Sequence, residues 1–351
     1  MDKNGLVSIG LPTYNNAKYI GMTIESLLIQ THKNIEIVVS DNASEDDTKK
    51  VVSGFKDPRI KYFRKDKTVS CAANWNSSIE LCGGEIIALY HSDDVYEPFI
   101  IEKELEQLLS HKELGAVFCL DTLIDENDLP LGNGAKLPFG GDFIVMDFKR
   151  LLPLLMTTWE NFIVAPTFMA RRAVFNTTGY FTDTDANCKF GVSIGGAVDT
   201  EFWLKISQNF KLGILKERLI RRRISLSQGS SVYASTHTKR SNHLVLMEHF
   251  ISTLRPDDMP SKETMEQYEF NLFWDDVIIG RNYVNSGHLA QAREILVKAF
   301  KLKKLKIYFR NISNLAKFIV YLFFLAAVSL GISRILIDIF RYCKGIRVTK
   351  G

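Results

Sequence analysis

The sequence predicts an α/β protein, a mostly parallel sheet with helices on both faces followed by a helical C-terminal region. Three observations predict it. Short apolar runs alternate with amphipathic stretches of helix length from residue 6 to about residue 110. Three of those runs stop on polar clusters: Pro12-Thr13-Tyr14-Asn15, Asp41-Asn42 and His91-Ser92-Asp93-Asp94. Residues 239–300 then read as helical throughout. Alternation of this kind builds a parallel sheet covered by helices, and ligands of such sheets bind beyond the carboxyl ends of the strands. Three polar clusters at three strand ends therefore mark the candidate site.

The elements follow in order. Residues 6–11 (LVSIGL) form an apolar run stopped by Pro12, as a buried strand entering a loop requires. Residues 17–30 place Ile20, Ile24, Leu27 and Leu28 on one helical face. Residues 35–40 (IEIVVS) read as a second strand ending at Asp41, and the polar stretch Asp41–Thr48 opens a helix carrying Val51, Val52 and Phe55. A strand at 60–63, a helix at 72–81, a strand at 85–90 ending at His91, and a helix after Pro98 complete this half. Another strand is expected over 115–123. The glycine- and proline-containing stretch 125–142 reads as a mobile loop beside a site rather than a linker. Residues 198–209 read as an amphipathic helix, and 282–300 are spaced like a single tetratricopeptide-like helical hairpin.

Charge divides the chain further. The formal net charge is +4, yet residues 301–351 carry eleven Lys and Arg against one acid, Asp338. That leaves 33 bases and 39 acids on the first 300 residues, a net −6. A mildly acidic body argues against a nucleic-acid protein, whose positive charge belongs on the folded domain. A basic tail suits an anionic membrane surface. Phe318–Ser333 holds 16 residues without a charge, short of the roughly 20 of a spanning helix. With the basic stretch KLKKLKIYFR upstream, a membrane-lying or short re-entrant helix is the favoured reading, with a true span and a buried packing helix as alternatives. The five cysteines, at 71, 82, 119, 188 and 343, show no CxxC spacing and read as reduced thiols. No signal peptide precedes the first apolar run. The expected location is cytoplasmic, peripheral or monotopic at the inner face of the cell membrane. Three regions are expected: 1–235, 236–310, and a basic, apolar tail over 311–351.

His91-Ser92-Asp93-Asp94 places a hard carboxylate at a strand end, where a divalent cation could bridge phosphate oxygens and the protein need supply only one or two ligands. Alone, such an acidic pair reads more simply as a turn or helix cap. Context adds a second argument. The string VSIGLPTYNNAKYIGMTIESLLIQTHKNIEIVVSDNASEDDT, followed by NWNSSIELCGGEIIALYHSDDVYEP, resembles glycosyltransferase family 2, inverting nucleotide-sugar transferases of the GT-A fold. The match in order and spacing covers about 100 residues, with looser similarity to about residue 235.

The resemblance implies a role for each matching residue. Pro12, Thr13, Tyr14 and Asn15 form the loop that holds the nucleoside, and Asp41 is the acid that accepts a hydrogen bond from the base, commonly uracil. Asn76, Ser92, Asp93 and Arg223 join the donor site; Arg223, in the run Arg221-Arg222-Arg223, contacts the diphosphate or belongs to a solvated face. Asp93 is the last acid of the family's DxD motif and the main ligand of Mn²⁺ or Mg²⁺. Here the first acid of that motif is His91. It can ligate Mn²⁺, which takes imidazole more readily than Mg²⁺ does, donate to a phosphate, or simply pack. Asp94 orders the loop or touches the donor. Asp199 matches the catalytic base at the start of a helix, although the glutamate that usually precedes it is Val198. Glu201 is the rival base, and a helix cap after Gly195-Gly196 is the plain alternative for Asp199. Gly179-Tyr180-Phe181 resembles an acceptor-side loop, and Ser230-Ser231 lies in a basic, serine-containing segment.

The implied partners are a nucleotide-diphosphate sugar, with UDP favoured, and a saccharide or lipid-linked saccharide acceptor of cell-surface polysaccharide synthesis. The processive (Q/R)xxRW motif is absent. A dinucleotide-dependent dehydrogenase is excluded because PTYNNA lacks GxGxxG, and a Walker-type NTPase because there is no glycine-lysine loop. A metal-dependent nucleotidyltransferase would carry a glycine-rich basic loop after the first strand. The remaining alternative is a non-catalytic relative acting as a nucleotide-sugar-binding or scaffolding subunit, suggested by His91 and Val198.

Overall fold

A computed structural model describes residues 5–138, 140–158, 162–183, 197–225 and 238–331. Gly195-Gly196, Ser230-Ser231, Cys188, Cys343 and the tail beyond residue 331 lie outside the described residues. The chain divides into two compact units, residues 1–152 with 160–226, and residues 153–159 with 227–351.

The first unit begins with β1 (Val7–Thr13), α1 (Ile20–Leu28), β2 (Ile35–Asp41), α2 (Thr48–Gly54), β3 (Ile60–Arg64), α3 (Cys71–Leu81) and β4 (Ile86–Leu89). Strands β3, β2, β1 and β4 lie side by side, and every neighbouring pair is parallel. Every residue of β1 and β2 is buried, which explains their near-continuous apolar sequences. Pleating sends Val7, Ile9 and Leu11 into one core with Ile20, Ile24 and Leu27 of α1 and Val52 of α2. The opposite face receives α3. A Cβ placed on Gly10 would stand 3.0 Å from Ser78 Oγ, so that glycine lets helix and strand close up.

One polar group is buried among these strands for a stated reason. Glu36 on β2 is 4% exposed and accepts from Ser8 Oγ at 2.5 Å, the Gly83 N–H at 2.6 Å and Lys61 Nζ at 2.5 Å. Burial alone would raise its carboxyl, but the bonds from Lys61, Ser8 and Gly83 outweigh it and hold the group below its usual range.

Beyond β4 the sheet becomes mixed. It continues through β5 (Val95–Tyr96), α4 (Ile100–Ser110), β6 (Leu114–Ile124), β7 (Pro130–Asn133), β8 (Phe143–Met146), β9 (Phe168–Arg171), α6 (Arg172–Thr178), α7 (Val198–Ser207) and β10 (Lys211–Arg223), with α5 (Phe148–Thr157) carrying the chain into the second unit. The order is β3-β2-β1-β4-β9-β6-β10-β5, with β7 added to β6 and β8 to β10. Strands β6 and β10 run parallel, whereas β9 is antiparallel to both β4 and β6. Helix α7 lies on this half through Phe202 and Trp203, whose rings pack with Phe118 of β6, Phe168 of β9 and Phe181. Each aromatic pair of this kind adds about 0.5 to 1.5 kcal/mol beyond its buried area.

Two expectations need correction. The stretch 125–142 is not all loop: β7 folds back on β6 as a hairpin, and β8 begins at Phe143. Residues 239–300 are not helical throughout either. The second unit contains α8 (Asn242–Ser252), α9 (Lys262–Asn285), α10 (Leu289–Ala299), α11 (Leu305–Tyr308) and α12 (Ile312–Ser329). The chain leaves α-helical geometry between α8 and α9, where Pro256 opens a single 3-10 turn (Pro256–Asp258) and Pro260 follows, and Ser261 caps α9 through the Thr264 N–H at 3.2 Å. Phe270, Phe273, Val277, Leu296, Tyr308, Phe318 and Tyr321 form the core of this unit.

Replacing Glu36 by Gln should cost about 1 to 2 kcal/mol of unfolding free energy at pH 7, because a buried charge-assisted network loses its charge. A depressed carboxyl stabilises the fold above the unfolded pKa, and that contribution is lost as pH falls through the folded value. The gap between wild-type and Glu36→Gln melting temperatures should therefore narrow as the pH is lowered through 4 toward 3. A gap that is constant with pH would refute this account.

Candidate active site

The three strand-end clusters meet at one end of the parallel strands. After β1, Asn15 takes a positive φ of 47°, a backbone state that asparagine tolerates better than most residues. Its N–H donates to Ser44 Oγ at 2.9 Å, and its side-chain oxygen accepts from the Glu45 N–H at 2.8 Å. The loop after β1 is thus stitched to the loop after β2. Thr13 and Pro12 are buried beneath it, and Tyr14 stands 49% exposed. Asn16 Nδ2 donates to Ser92 Oγ at 2.8 Å, which in turn reaches Thr13 Oγ1 at 3.1 Å, so the first and third clusters are also tied.

Asp41 lies at the floor of this corner with no exposed surface. One carboxylate oxygen accepts from the Ser44 N–H at 2.8 Å, and the other accepts from the Tyr62 hydroxyl. It does not cap the following helix, whose N-cap position belongs to Asp47. Its duty in the fold is to shape the loop that carries Ser44.

His91, Asp93 and Asp94 each offer a ligand atom, and these atoms lie within 4.8 Å of one another. The three are not equivalent. Asp94 is 2% exposed and accepts from the Arg223 N–H at 2.8 Å. Burial and the neighbouring Asp93 charge push its carboxyl well above the usual range, against the pull of the Arg223 N–H and of both Arg222 and Arg223. His91 and Asp93 are half-buried and form the accessible pair. Burial holds the His91 imidazole below its ordinary value, with Asp93 opposing and Arg222 assisting. The neutral ring retains a lone pair for a cation. Its backbone N–H donates to the Tyr96 hydroxyl at 2.7 Å, and its ring rests 5.6 Å from that of Trp75. An imidazole beside a carboxylate suits Mn²⁺ or another borderline divalent cation, so the residues fit such an ion.

Two residues expected at the donor are engaged elsewhere. Arg223 is 1% exposed, and its guanidinium donates to the Asp93 carbonyl at 2.9 Å, the Asp125 carbonyl at 2.8 Å and Asp128 Oδ1 at 2.6 Å. It also lies 4.3 Å from the centre of the Tyr19 ring. A buried guanidinium bonded in this way braces the Asp93 turn. Asn76 donates to the Phe181 carbonyl at 2.8 Å and accepts from the Phe181 N–H at 3.0 Å, so both ends of its amide are held by backbone.

Asp199 sits in the first turn of α7, whose N-cap position is Ala197, so it is not the helix cap. It accepts from the Thr200 N–H at 2.6 Å. Protein around the half-buried side chain pushes its carboxyl up, while the Thr200 N–H and hydroxyl pull it down. Desolvation first and the Asp199 charge second push the thiol of Cys71, an otherwise exposed residue at the start of α3, up to about 11. One turn further along α3, Trp75 packs against His91. Glu201, the rival carboxylate, is 3% exposed, with its two oxygens 2.9 and 2.7 Å from the Thr182 hydroxyl. Composition and spacing missed the Trp75–His91 contact, the Tyr96 support and the Thr182–Glu201 pair. The NWN string was the only signal for the first, and the other two join residues with no local pattern in common.

The fold is that of the GT-A class of glycosyltransferases. The sequence model described as Glycosyl transferase family 2 matches residues 8–179, so that part of the chain is similar to this family. An uncharacterized glycosyltransferase of Rickettsia conorii is 29% identical over 262 residues, covering 74% of this chain but 40% of that protein. The chain thus spans about two fifths of the length of that relative. Among solved structures, S. aureus TarS 1–349 in complex with UDP-GlcNAc aligns with a TM-score of 0.53 at 16% identity, covering 83% of this chain and 90% of its own. The mannosyltransferase PcManGT of Pyrobaculum calidifontis, in complex with GDP-Man and Mn²⁺, aligns with a TM-score of 0.53 at 17% identity, covering 94% and 86%.

Replacing Arg223 by Met should strip the Asp93 turn of its brace and leave Asp128 and two carbonyls without their donor. The expected loss is about 3 kcal/mol, the scale on which a buried guanidinium's bonds to two carbonyls and to the half-exposed Asp128 carboxylate are lost. Melting should fall by roughly 6 to 12 °C for a unit of this size. A melting temperature within 2 °C of wild type would contradict the bracing role.

Proposed function

We propose that this chain is an inverting, metal-dependent glycosyltransferase that moves a sugar from a nucleotide-diphosphate donor, a UDP-sugar in the favoured case, to an acceptor hydroxyl. The observation that carries the reading is the strand-end cluster of His91, Asp93 and Asp94 within the part of the chain that matches the family. On this reading Thr13, Tyr14 and Asn15 receive the nucleoside on a loop whose shape Pro12 and Asp41 fix, and Ser92 lines the diphosphate side. Asp93, with His91, would hold a divalent cation, Mn²⁺ preferred. When bound, such a cation supplies neutralisation of the charge that grows on the departing diphosphate.

Asp199 performs the proton step. Its carboxylate takes the proton of the acceptor hydroxyl as that oxygen forms a bond to the anomeric carbon. The bond from that carbon to the diphosphate breaks at the same time, and the diphosphate leaves with the electron pair. Attack from the face opposite the leaving group inverts the anomeric configuration. A raised carboxyl suits this task, since a base works best with a pKa nearer the working pH. Trp75 of α3 packs against His91 and, through Phe181, meets Phe202 of α7, which supports a cleft shared by base and cation.

The acceptor reading rests on the tail. Helix α12 is long and apolar enough to cross a membrane by length and composition, and 28% of it is buried in the structure. Ile312, Ile319, Leu322 and Phe323 on it are exposed, and residues 301–351 are strongly basic. We take this as a surface that rests on anionic lipid at the cytoplasmic face, close to a lipid-linked saccharide acceptor.

Asp93→Ala and Asp199→Asn should each lower transfer from a nucleotide sugar by about 100- to 10,000-fold, and chelation of divalent ions should abolish it until Mn²⁺ is restored. Since the base must be ionised, the turnover of wild type should fall as pH drops through a midpoint above the ordinary aspartate range. Full activity in Asp199→Asn would defeat the assignment. For the tail, the triple variant Ile319→Gln, Leu322→Gln, Phe323→Gln should lose most cosedimentation with phosphatidylserine-containing vesicles while keeping its helical circular dichroism. Unchanged cosedimentation would end the membrane reading.

A further inference from the structure

Residues Gly179–Asp183 run as a strap between α3 and α7 and are fastened to both. On the α3 side, Ser70 Oγ donates to Asp183 Oδ1 at 2.7 Å, and the Asn76 amide pairs with the Phe181 N–H and carbonyl as a neighbouring strand would. On the α7 side, the Thr182 hydroxyl reaches Glu201, and Lys205 Nζ donates to the Tyr180 carbonyl at 3.3 Å. Lys205 Nζ also stands 3.8 Å from Glu201 Oε1, so the buried carboxylate has a cation beside it. The Phe181 side chain is the wedge between them, edge-on to Trp75 at 5.1 Å and against Phe202 at 4.2 Å. Trp75 continues the row to His91.

We propose that Asn76, Thr182 and Glu201 are positioning residues for the transfer reaction: they hold a strap, seated on the buried Phe181, that fixes helix α7, and so Asp199, against the helix that supports His91. This rests on the transferase reading given above and extends it. Residues two apart on a helix lie about 200° apart around its axis, so Glu201 and Asp199 serve opposite sides of α7. Glu201 acts through Thr182, as a hydrogen-bond acceptor rather than a base. Asn76 acts through the backbone of Phe181, which explains why an amide stands there: a carboxylate could accept from the Phe181 N–H but would repel its carbonyl.

The test compares conservative and disruptive variants of the full chain. Glu201→Gln keeps an acceptor oxygen for Thr182 and should hold kcat within about threefold of wild type. Glu201→Ala, Thr182→Val and Asn76→Ala should each lower kcat about tenfold with the KM for the nucleotide sugar little changed. Glu201→Gln as inactive as Asp199→Asn would make Glu201 the reacting carboxylate and overturn the proposal. A raised donor KM with unchanged kcat in Asn76→Ala would return Asn76 to the donor site and overturn it as well. Amide hydrogen exchange provides a readout independent of turnover. The Phe181 N–H should exchange at least tenfold faster in Asn76→Ala, and an unchanged rate would show that no strap exists. A strap that loosens as stated in a protein transferring no sugar would count against the transferase reading and remove the positioning role with it.

Discussion

The site depends on one buried cation. Arg223 closes β10 with a buried guanidinium, whose N–H groups therefore need acceptors from the protein. It finds the Asp93 carbonyl, the Asp125 carbonyl and the Asp128 carboxylate, while its own backbone N–H is taken by Asp94. These contacts join the last strand in chain order, the turn after β4, and the β6–β7 hairpin. Because Asp94 and Arg223 hold the turn from below, Asp93 is left half-buried beside His91. The cost of burying a charge and a carboxyl is offset by this mutual satisfaction, and the result is a fixed geometry at the place where a cation would be needed.

A second set of contacts fixes the other side. Helix α7 is tied down by aromatic packing on β6 and β9 and by the strap through Phe181, so Asp199 stands on an anchored helix rather than on a loop. Rigid elements hold reacting groups more narrowly than loops do. The loops that do border the site are stitched together: Asn15 to Ser44, Asn16 to Ser92, Asn42 to Val69. Short polar side chains do this work because they satisfy backbone groups that the sheet no longer pairs at the strand ends.

The legible part of this architecture was local. Apolar runs that stop on polar clusters announced β1, β2 and β4 and marked where a ligand site would lie, because strand length and burial are written in consecutive residues. Non-local pairing was not legible. Asn76 meets Phe181 across 105 positions and Arg223 meets Asp93 across 130, and neither pair leaves a pattern that spacing can register. Arg223 and Asn76 were therefore expected at the donor, where polar residues of a recognised motif usually point. The hairpin formed by β7 was hidden by glycine and proline, and its exposed residues lack strand-like alternation. The break between α8 and α9 was the avoidable miss, since Pro256 and Pro260 stand there in the sequence.

The central claim is that His91 and Asp93 hold a cation on one side of a donor sugar while Asp199 faces it from the other. Anomalous diffraction at the manganese edge, from crystals of the full chain grown with Mn²⁺ and a non-hydrolysable nucleotide-diphosphate sugar, tests it most directly. The account predicts a single strong peak about 2.0 to 2.3 Å from an Asp93 oxygen, with the anomeric carbon between that peak and the Asp199 carboxylate. A peak held elsewhere, or an Asp199 carboxylate on the same side of the sugar as the diphosphate, would contradict it.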